Sequence, residues 1–245
     1  MDTVTAILHR ALLAQPLPAP EVVLGLGAAA LILVLFRPLW RTTRMLVTIT
    51  HEAGHAVVGR LSGRELEGIR LNADTSGVTV TRGRPRGPGM VATLLAGYTA
   101  PAVVGVAAAA LLGTGRATAL LWAFLLFLAL LLLAIRNLYG LLVIVVVGGG
   151  LGLATWYLPV ELQGWLAYLL CWVLLFGAVR PTLELAGSQD RGSDAAQLAR
   201  LTHLPQLLWT GLFLVVALVG LGLGGWMLLG AAGVVPPLMP LGSAA

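Results

Sequence analysis

Long apolar blocks, separated by short polar segments, run along most of this chain. Six blocks are strongly apolar, at about residues 21–36, 90–112, 117–135, 138–158, 162–179 and 206–230. A seventh segment, at about residues 45–61, has helical character but carries more polar residues. Since one α-helical crossing of a bilayer takes about 20 residues, the pattern predicts an all-α polytopic membrane protein with six to seven transmembrane helices.

Three segments depart from this pattern. Residues 1–20 mix apolar and polar positions and end in a Pro-rich turn, which predicts an N-terminal amphipathic segment rather than a signal peptide. Residues 66–82 alternate apolar and polar positions on both sides of a turn, which predicts a small membrane-associated β-hairpin. A polar segment at 180–205 separates the last two apolar blocks. We expect residues 1–245 to form a single integral-membrane domain.

The composition excludes several classes of protein. Hydrophobic residues make up 58% of the chain and charged residues 10%, whereas a soluble domain has about 45–50% and about 25%. A soluble enzyme, a disordered chain and a disulfide-stapled secreted domain are therefore excluded. The single cysteine, Cys171, rules out an internal disulfide and a cysteine-based metal site.

All fifteen basic residues are arginines, and the pI is about 10.3. Most of these arginines lie in short segments between apolar blocks, as membrane orientation by the positive-inside rule requires. The lipid bilayer is therefore the expected partner of the basic residues, and nucleic acid is not. Arginine groups flank residues 45–61 on both sides, so the sequence leaves the orientation of this segment open.

The segment 45–61 contains the motif His51-Glu52-Ala53-Gly54-His55. His51 and His55 are one helical turn apart, so both imidazoles can reach the same metal ion. Glu52 is rotated by about 100° from His51 and can address a water molecule instead. Because such polar side chains are costly within a bilayer, the motif predicts a zinc site with Glu52 as catalytic base. A structural polar cluster is the alternative.

HEAGHAVVG in a membrane helix that precedes a hairpin resembles the site-2 protease family of intramembrane zinc metallopeptidases, in particular its compact bacterial branch without a PDZ domain. The resemblance covers about residues 45–82 and 190–205. It implies that His51 and His55 bind Zn²⁺, that Glu52 is the catalytic base, and that a later aspartate is the third ligand.

The Leu-Asp-Gly motif that usually carries this aspartate does not occur in the chain. The compact branch tends to have Ser-Asp-x-x-x-Leu-Ala instead, and residues 193–199 read SDAAQLA, which implies Asp194 as the ligand. Ser193 is a good helix N-cap, so Asp194 would be held in one direction. Asp190 and His203 are the alternative ligands. Asn137 resembles an asparagine that related proteases place near the substrate, although an interfacial amide at the end of a helix is equally ordinary.

The resemblance and the motif together predict an intramembrane zinc endopeptidase that hydrolyses peptide bonds in or near transmembrane segments of membrane-anchored proteins. The hairpin at 66–82 could bind substrate by β-augmentation, and an adaptor protein or a homo-oligomer could assist it. The expected location is the bacterial plasma membrane. The alternatives are a catalytically inactive homologue, a membrane assembly factor, and a metal- or ion-linked transporter, although the paired halves typical of transporters are not found.

Overall fold

The computed structural model describes residues 13–188 and 190–237. Most of the amphipathic segment predicted at residues 1–20 lies outside these ranges. The described elements are, in chain order, α1 (Pro20–Leu35), α2 (Arg37–Leu61), β1 (Glu65–Leu71), β2 (Gly77–Arg82), α3 (Pro88–Gly113), α4 (Ala117–Leu132), α5 (Leu138–Tyr157), α6 (Val160–Ala186), α7 (Asp194–Thr202) and α8 (Gln206–Ala231).

Four of these helices, α3, α5, α6 and α8, are long and apolar enough to cross a membrane. The pair α1 and α2 passes the same test together, although the two helices are bent by 100° at the break between them. Helix α4 is apolar but has only 16 residues. An all-α membrane protein is therefore confirmed, with helices near the predicted positions, but four or five candidate spans replace the six to seven expected.

The bend between α1 and α2 lies at Phe36, whose backbone is extended. Pro38 follows in the first turn of α2, where a missing N–H costs no hydrogen bond. The guanidinium of Arg180, on α6, donates hydrogen bonds to the carbonyls of Val34 and Leu35 at the end of α1. Carbonyls that a continuous helix would satisfy are therefore bonded by a side chain from another helix.

The hairpin of β1 and β2 is antiparallel, with an irregularity between Leu66 and Gly68. At its tip the side chain of Asp74 accepts hydrogen bonds from the backbone N–H and the hydroxyl of Ser76, which lower the pKa of Asp74. Thr75 has a left-handed backbone, with φ of 70°. Its carbonyl accepts a hydrogen bond of 2.8 Å from Thr48 on α2, so the tip is attached to that helix.

The outer edge of β1 is covered by the connection between α4 and α5. Ile69 donates its N–H to Ala134, and its carbonyl accepts the N–H of Arg136, at 2.8 and 2.9 Å. The side-chain amide of Asn137 accepts the N–H of Leu71 and donates to its carbonyl. Asn137 therefore pairs with β1 as the backbone of a neighbouring strand would. The other edge of the two-stranded sheet is formed by β2.

Candidate metal centre

Helix α2 carries the three residues of the motif toward the interior of the protein. His55 and Glu52 are buried, at 8% and 4% exposed. The Nε2 atoms of His51 and His55 are 3.0 Å apart. On the same helix, Ile49, Ala53 and Ala56 belong to an apolar cluster with residues of β1, α4 and α5. Packing of this apolar face holds the motif in one position.

Asp194 reaches the two histidines from the start of helix α7. The side chain of Ser193 accepts a hydrogen bond from the N–H of Ala196, which caps the helix as the sequence predicted. Ala195 and Leu198 are buried in a cluster with Leu94 of α3, Leu185 of α6 and Phe213 of α8. The carboxylate oxygen Oδ2 of Asp194 lies 3.3 Å from Nε2 of His51 and 3.2 Å from Nε2 of His55.

The three donor atoms fit a zinc ion. They are 3.0–3.3 Å apart, and ligands at the usual Zn–N and Zn–O distances in a tetrahedron are about 3.3–3.4 Å apart. Oδ2 of Asp194 is buried, and no group in the described residues gives it a well-formed hydrogen bond. Two imidazoles and one carboxylate are also a ligand set of catalytic zinc, which leaves a fourth position for water or substrate.

Asp194 gives the centre a negatively charged side chain. Burial acts to raise the pKa of the Asp194 carboxyl, but its contacts with His51 and His55 outweigh burial and lower that pKa below its usual range. The carboxylate is therefore ionised. Among the residues that the structure describes, His51, His55 and Asp194 are the one group of histidine, cysteine and acidic side chains with this geometry.

Helix α3 orients both imidazoles. Nδ1 of His55 lies 2.7 Å from the carbonyl of Thr93, which can only accept, so Nδ1 carries the proton and Nε2 is left for a metal. The ring of His51 packs edge-on against Tyr98, with centroids 4.8 Å apart, and Tyr98 stacks on Phe213. At Gly97 an added Cβ would lie 2.7 Å from Cε1 of His51. Only glycine therefore allows α3 to pass this close to the imidazoles of His51 and His55.

Glu52 lies beside the three-residue group but is not a member of it. Its Oε2 accepts a hydrogen bond of 2.6 Å from the hydroxyl of Thr79 on β2. Glu52, both histidines and Asp194 line one cavity of about 530 Å³, whose walls come from α2, the hairpin, α3, α6 and α7. The Glu52 carboxylate and the three candidate metal ligands therefore line one cavity with room for a peptide segment.

Three residues considered in the sequence lie away from the triad. Asp190 is exposed on the cavity wall, where its side chain accepts a hydrogen bond from the N–H of Gly192. His203 is exposed and ends α7 in a left-handed conformation, with φ of 61°. Asn137 binds the edge of β1 and is not among the residues lining the cavity.

Sequence reasoning did not identify Thr93, Tyr98 or Thr79 as parts of the site. The one signal was the break Gly97-Tyr98-Thr99-Ala100-Pro101, because a glycine in a membrane helix permits close approach of another helix.

A family model described as Peptidase M50B-like matches residues 24–224, which include the two histidines, Glu52 and Asp194. Comparisons with curated proteins and with solved structures found no match.

Proposed function

The chain belongs to the peptidase M50B-like family, which is a membrane metallopeptidase family of the site-2 protease type, and from this premise we propose that it is an intramembrane zinc endopeptidase. It hydrolyses peptide bonds in or near transmembrane segments of membrane-anchored proteins, as in regulated intramembrane proteolysis. The observation that carries the proposal is the meeting of His51, His55 and Asp194 with the carboxylate of Glu52 in one cavity among membrane helices.

His51, His55 and Asp194 would hold the zinc ion through Nε2, Nε2 and Oδ2. When bound, zinc supplies a Lewis acid that polarises a carbonyl and lowers the pKa of water toward about 7. Glu52 accepts the proton of the attacking water and passes it to the leaving amine. Glu52 and His55 are buried, at 4% and 8% exposed, and burial strengthens the electrostatic interactions of these groups.

The free edge of β2 supports binding of an extended substrate. In an antiparallel pair, opposite residues turn their N–H and C=O groups either both toward each other or both away. Ile69 and Leu71 turn theirs away from β2, toward residues 134–137. Thr79 and Gly77, which lie opposite them, must therefore turn theirs toward the other edge.

Thr79 and Gly77 also line the cavity, and within the described ranges no backbone group bonds to this edge of either residue. A peptide bond in a membrane helix is protected because its N–H and C=O are already bonded. Pairing with β2 would replace those bonds while the segment is extended beside Glu52.

The arginines support an orientation of the site. Those on the side of the cavity and the hairpin, in the described part of the chain, are Arg37, Arg41, Arg44, Arg60, Arg64, Arg70, Arg82, Arg84, Arg86, Arg136, Arg180, Arg191 and Arg200. Among residues 13–188 and 190–237, the opposite loops contain Arg116 alone. The positive-inside rule then makes the cavity side cytoplasmic, in a bacterial plasma membrane. Because α2 is bent away from α1, the arginines at both ends of α2 can lie on the cytoplasmic side.

Glu52→Gln tests the proposed reaction. The purified protein and the variant are compared for zinc per molecule and for new N termini produced in a detergent extract of bacterial membranes. Glutamine can bind water but cannot take its proton, so we expect full zinc content and a rate lower by about 10²–10⁴. His51→Ala/His55→Ala, which should lose zinc, is the control.

Two results would contradict this assignment. Loss of zinc from Glu52→Gln would make Glu52 a ligand or a structural residue. Zinc-loaded wild-type protein that produces no new N termini would indicate an inactive homologue or assembly factor, and zinc-dependent ion flux through liposomes would indicate a transporter.

Hydrogen exchange tests the edge of β2. The amides of Gly77 and Thr79 should exchange rapidly in the free protein and slowly once a peptide spanning an identified cleavage site is bound to Glu52→Gln. The amide of Val78, which faces Arg70 within the hairpin, should be protected in both states. If Gly77 and Thr79 exchange equally fast with and without the peptide, substrate does not pair with this edge.

A further inference from the structure

Strand β2 holds the side chain of Glu52 at two points. The hydroxyl of Thr79 lies 2.6 Å from Oε2 and 3.0 Å from the backbone carbonyl of Glu52. At Gly77 an added Cβ would lie 2.7 Å from Oε1 and 2.6 Å from Cγ of Glu52. The Glu52 side chain therefore passes directly under Gly77 and ends at Thr79.

These two contacts come from one face of the strand. Gly77 and Thr79 are two residues apart, so their Cα–Cβ directions point the same way, toward α2. A carboxylate can only accept, and the Thr79 hydroxyl has one proton to give. The separation of 2.6 Å is that of a charge-assisted O–H···O⁻ bond. The hydroxyl thus fixes one oxygen of a side chain that otherwise has three rotatable bonds.

We propose that Thr79 is a positioning residue that sets the direction of the Glu52 carboxylate, a role that rests on the function proposed above. The base is buried, at 4% exposed, and a displacement of about 1 Å in an active site can cost about 100-fold in rate. The backbone of the same residue lies at the free edge of β2. The backbone of Thr79 is therefore available to pair with substrate, while its side chain aligns the Glu52 carboxylate.

The first test measures the contact itself. The chain has six glutamates, so side-chain carboxyl ¹³C labelling of glutamate gives a spectrum with few resonances, and Glu52→Gln identifies the one from Glu52. In zinc-loaded protein in detergent micelles at constant pH, Thr79→Val should move this resonance. Thr79→Ser, which keeps the hydroxyl, should leave it near the wild-type position. An unmoved resonance in Thr79→Val would overturn the proposal.

The matched control is Thr155→Val, which makes the same change at a buried threonine of α5. Thr155 bonds the carbonyl of Leu151 within its own helix, so this variant should leave the Glu52 resonance and the rate unchanged. Zinc per molecule should equal the wild-type value in all the threonine variants. If Thr155→Val moves the Glu52 resonance as far as Thr79→Val does, the shift is not specific and the proposal fails.

The second test separates positioning from binding. With a synthetic peptide spanning a cleavage site identified in the membrane extract, Thr79→Val should lower kcat by about 10- to 100-fold. KM should stay within about twofold, because the backbone edge is intact. Thr79→Ser should recover most of kcat. Equal kcat in Thr79→Val and wild type, or a Thr79→Ser as slow as Thr79→Val, would overturn the role. If wild type itself cleaves nothing, the proposed function fails, while the carboxyl resonance still decides the contact.

Discussion

Alanine at Gly97 should prevent zinc binding although all three proposed ligands remain. A Cβ there would lie 2.5 Å from Cε1 of His55 and 2.7 Å from Cε1 of His51, where ordinary contacts begin at 3.4 Å. To reach ordinary contact, the His51 ring must therefore move by about 0.7 Å and the His55 ring by about 0.9 Å. His55 cannot do so without loss of its 2.7 Å hydrogen bond to Thr93, and His51 is packed against Tyr98.

The size of the effect follows from the precision that a metal site needs. Ligand positions must be held to about 0.5 Å, and the donor atoms are now 3.0–3.3 Å apart. Loss of a single orienting hydrogen bond to a ligand costs about 10- to 100-fold in metal affinity. Since Gly97→Ala displaces two ligands, we expect zinc affinity to fall by more than about 100-fold. Competition with a chelator, followed by zinc analysis, measures this affinity.

Gly105→Ala is the matched control, because it crowds the same helix away from the centre. Its Cβ would lie 2.7 Å from Cδ2 of Leu175, and overpacking of this kind costs about 1–3 kcal/mol in the free energy of unfolding. We expect a lower Tm with wild-type zinc affinity. Wild-type zinc affinity in Gly97→Ala would refute the proposed arrangement of ligands, and zinc loss in both variants would show that crowding α3 disrupts the fold in general.

Two further substitutions test the third ligand and the hairpin. Asp194→Ala should lose zinc and Asp190→Ala should keep it, since only Asp194 reaches both histidines; zinc analysis with the opposite result would reverse the assignment. Asn137→Ala removes both side-chain hydrogen bonds to Leu71, at about 0.5–1.5 kcal/mol each, so the Leu71 amide should exchange faster while zinc is retained. Unchanged exchange at Leu71 would show that Asn137 does not hold β1.

Local sequence patterns predicted the helices and the hairpin because these depend on neighbouring residues. Apolar blocks mark α3, α5 and α8 almost to their ends, whereas α6 continues to Ala186, beyond the block predicted at 162–179. The bend between α1 and α2 was not predicted as such, since the carbonyls that it exposes are bonded by Arg180, about 145 residues further along the chain. The predicted span count was higher for two reasons. α1 and α2 count as one broken span at most, and α4 has only 16 residues.

In the proposed site, the sequence indicated the candidate ligands and the base, but not all of the residues that orient them. His51, Glu52 and His55 follow from helical spacing. Asp194 was implied by the family resemblance of residues 193–199, and the N-cap at Ser193 was a supporting local signal. Thr93 and Thr79, which orient His55 and Glu52, have no such signal. Thr93 acts through its backbone carbonyl, which any residue possesses, and Thr79 reaches Glu52 only because the hairpin folds back on α2.

The hairpin shows the limit of alternation as a guide to function. Alternation indicates which side chains share a face, but the free backbone groups depend on what covers the other edge, here residues 134–137. The register turns the N–H groups of Val78 and Val80 toward β1 and those of Gly77 and Thr79 outward. Proline, which lacks an N–H, is the usual substitution for testing strand pairing. At Val78 or Val80 it would remove a hydrogen bond within the hairpin and would leave the free edge of β2 intact. Since Gly77 and Thr79 also contact Glu52, proline there would disturb the base, so amide exchange is the measurement that isolates strand pairing.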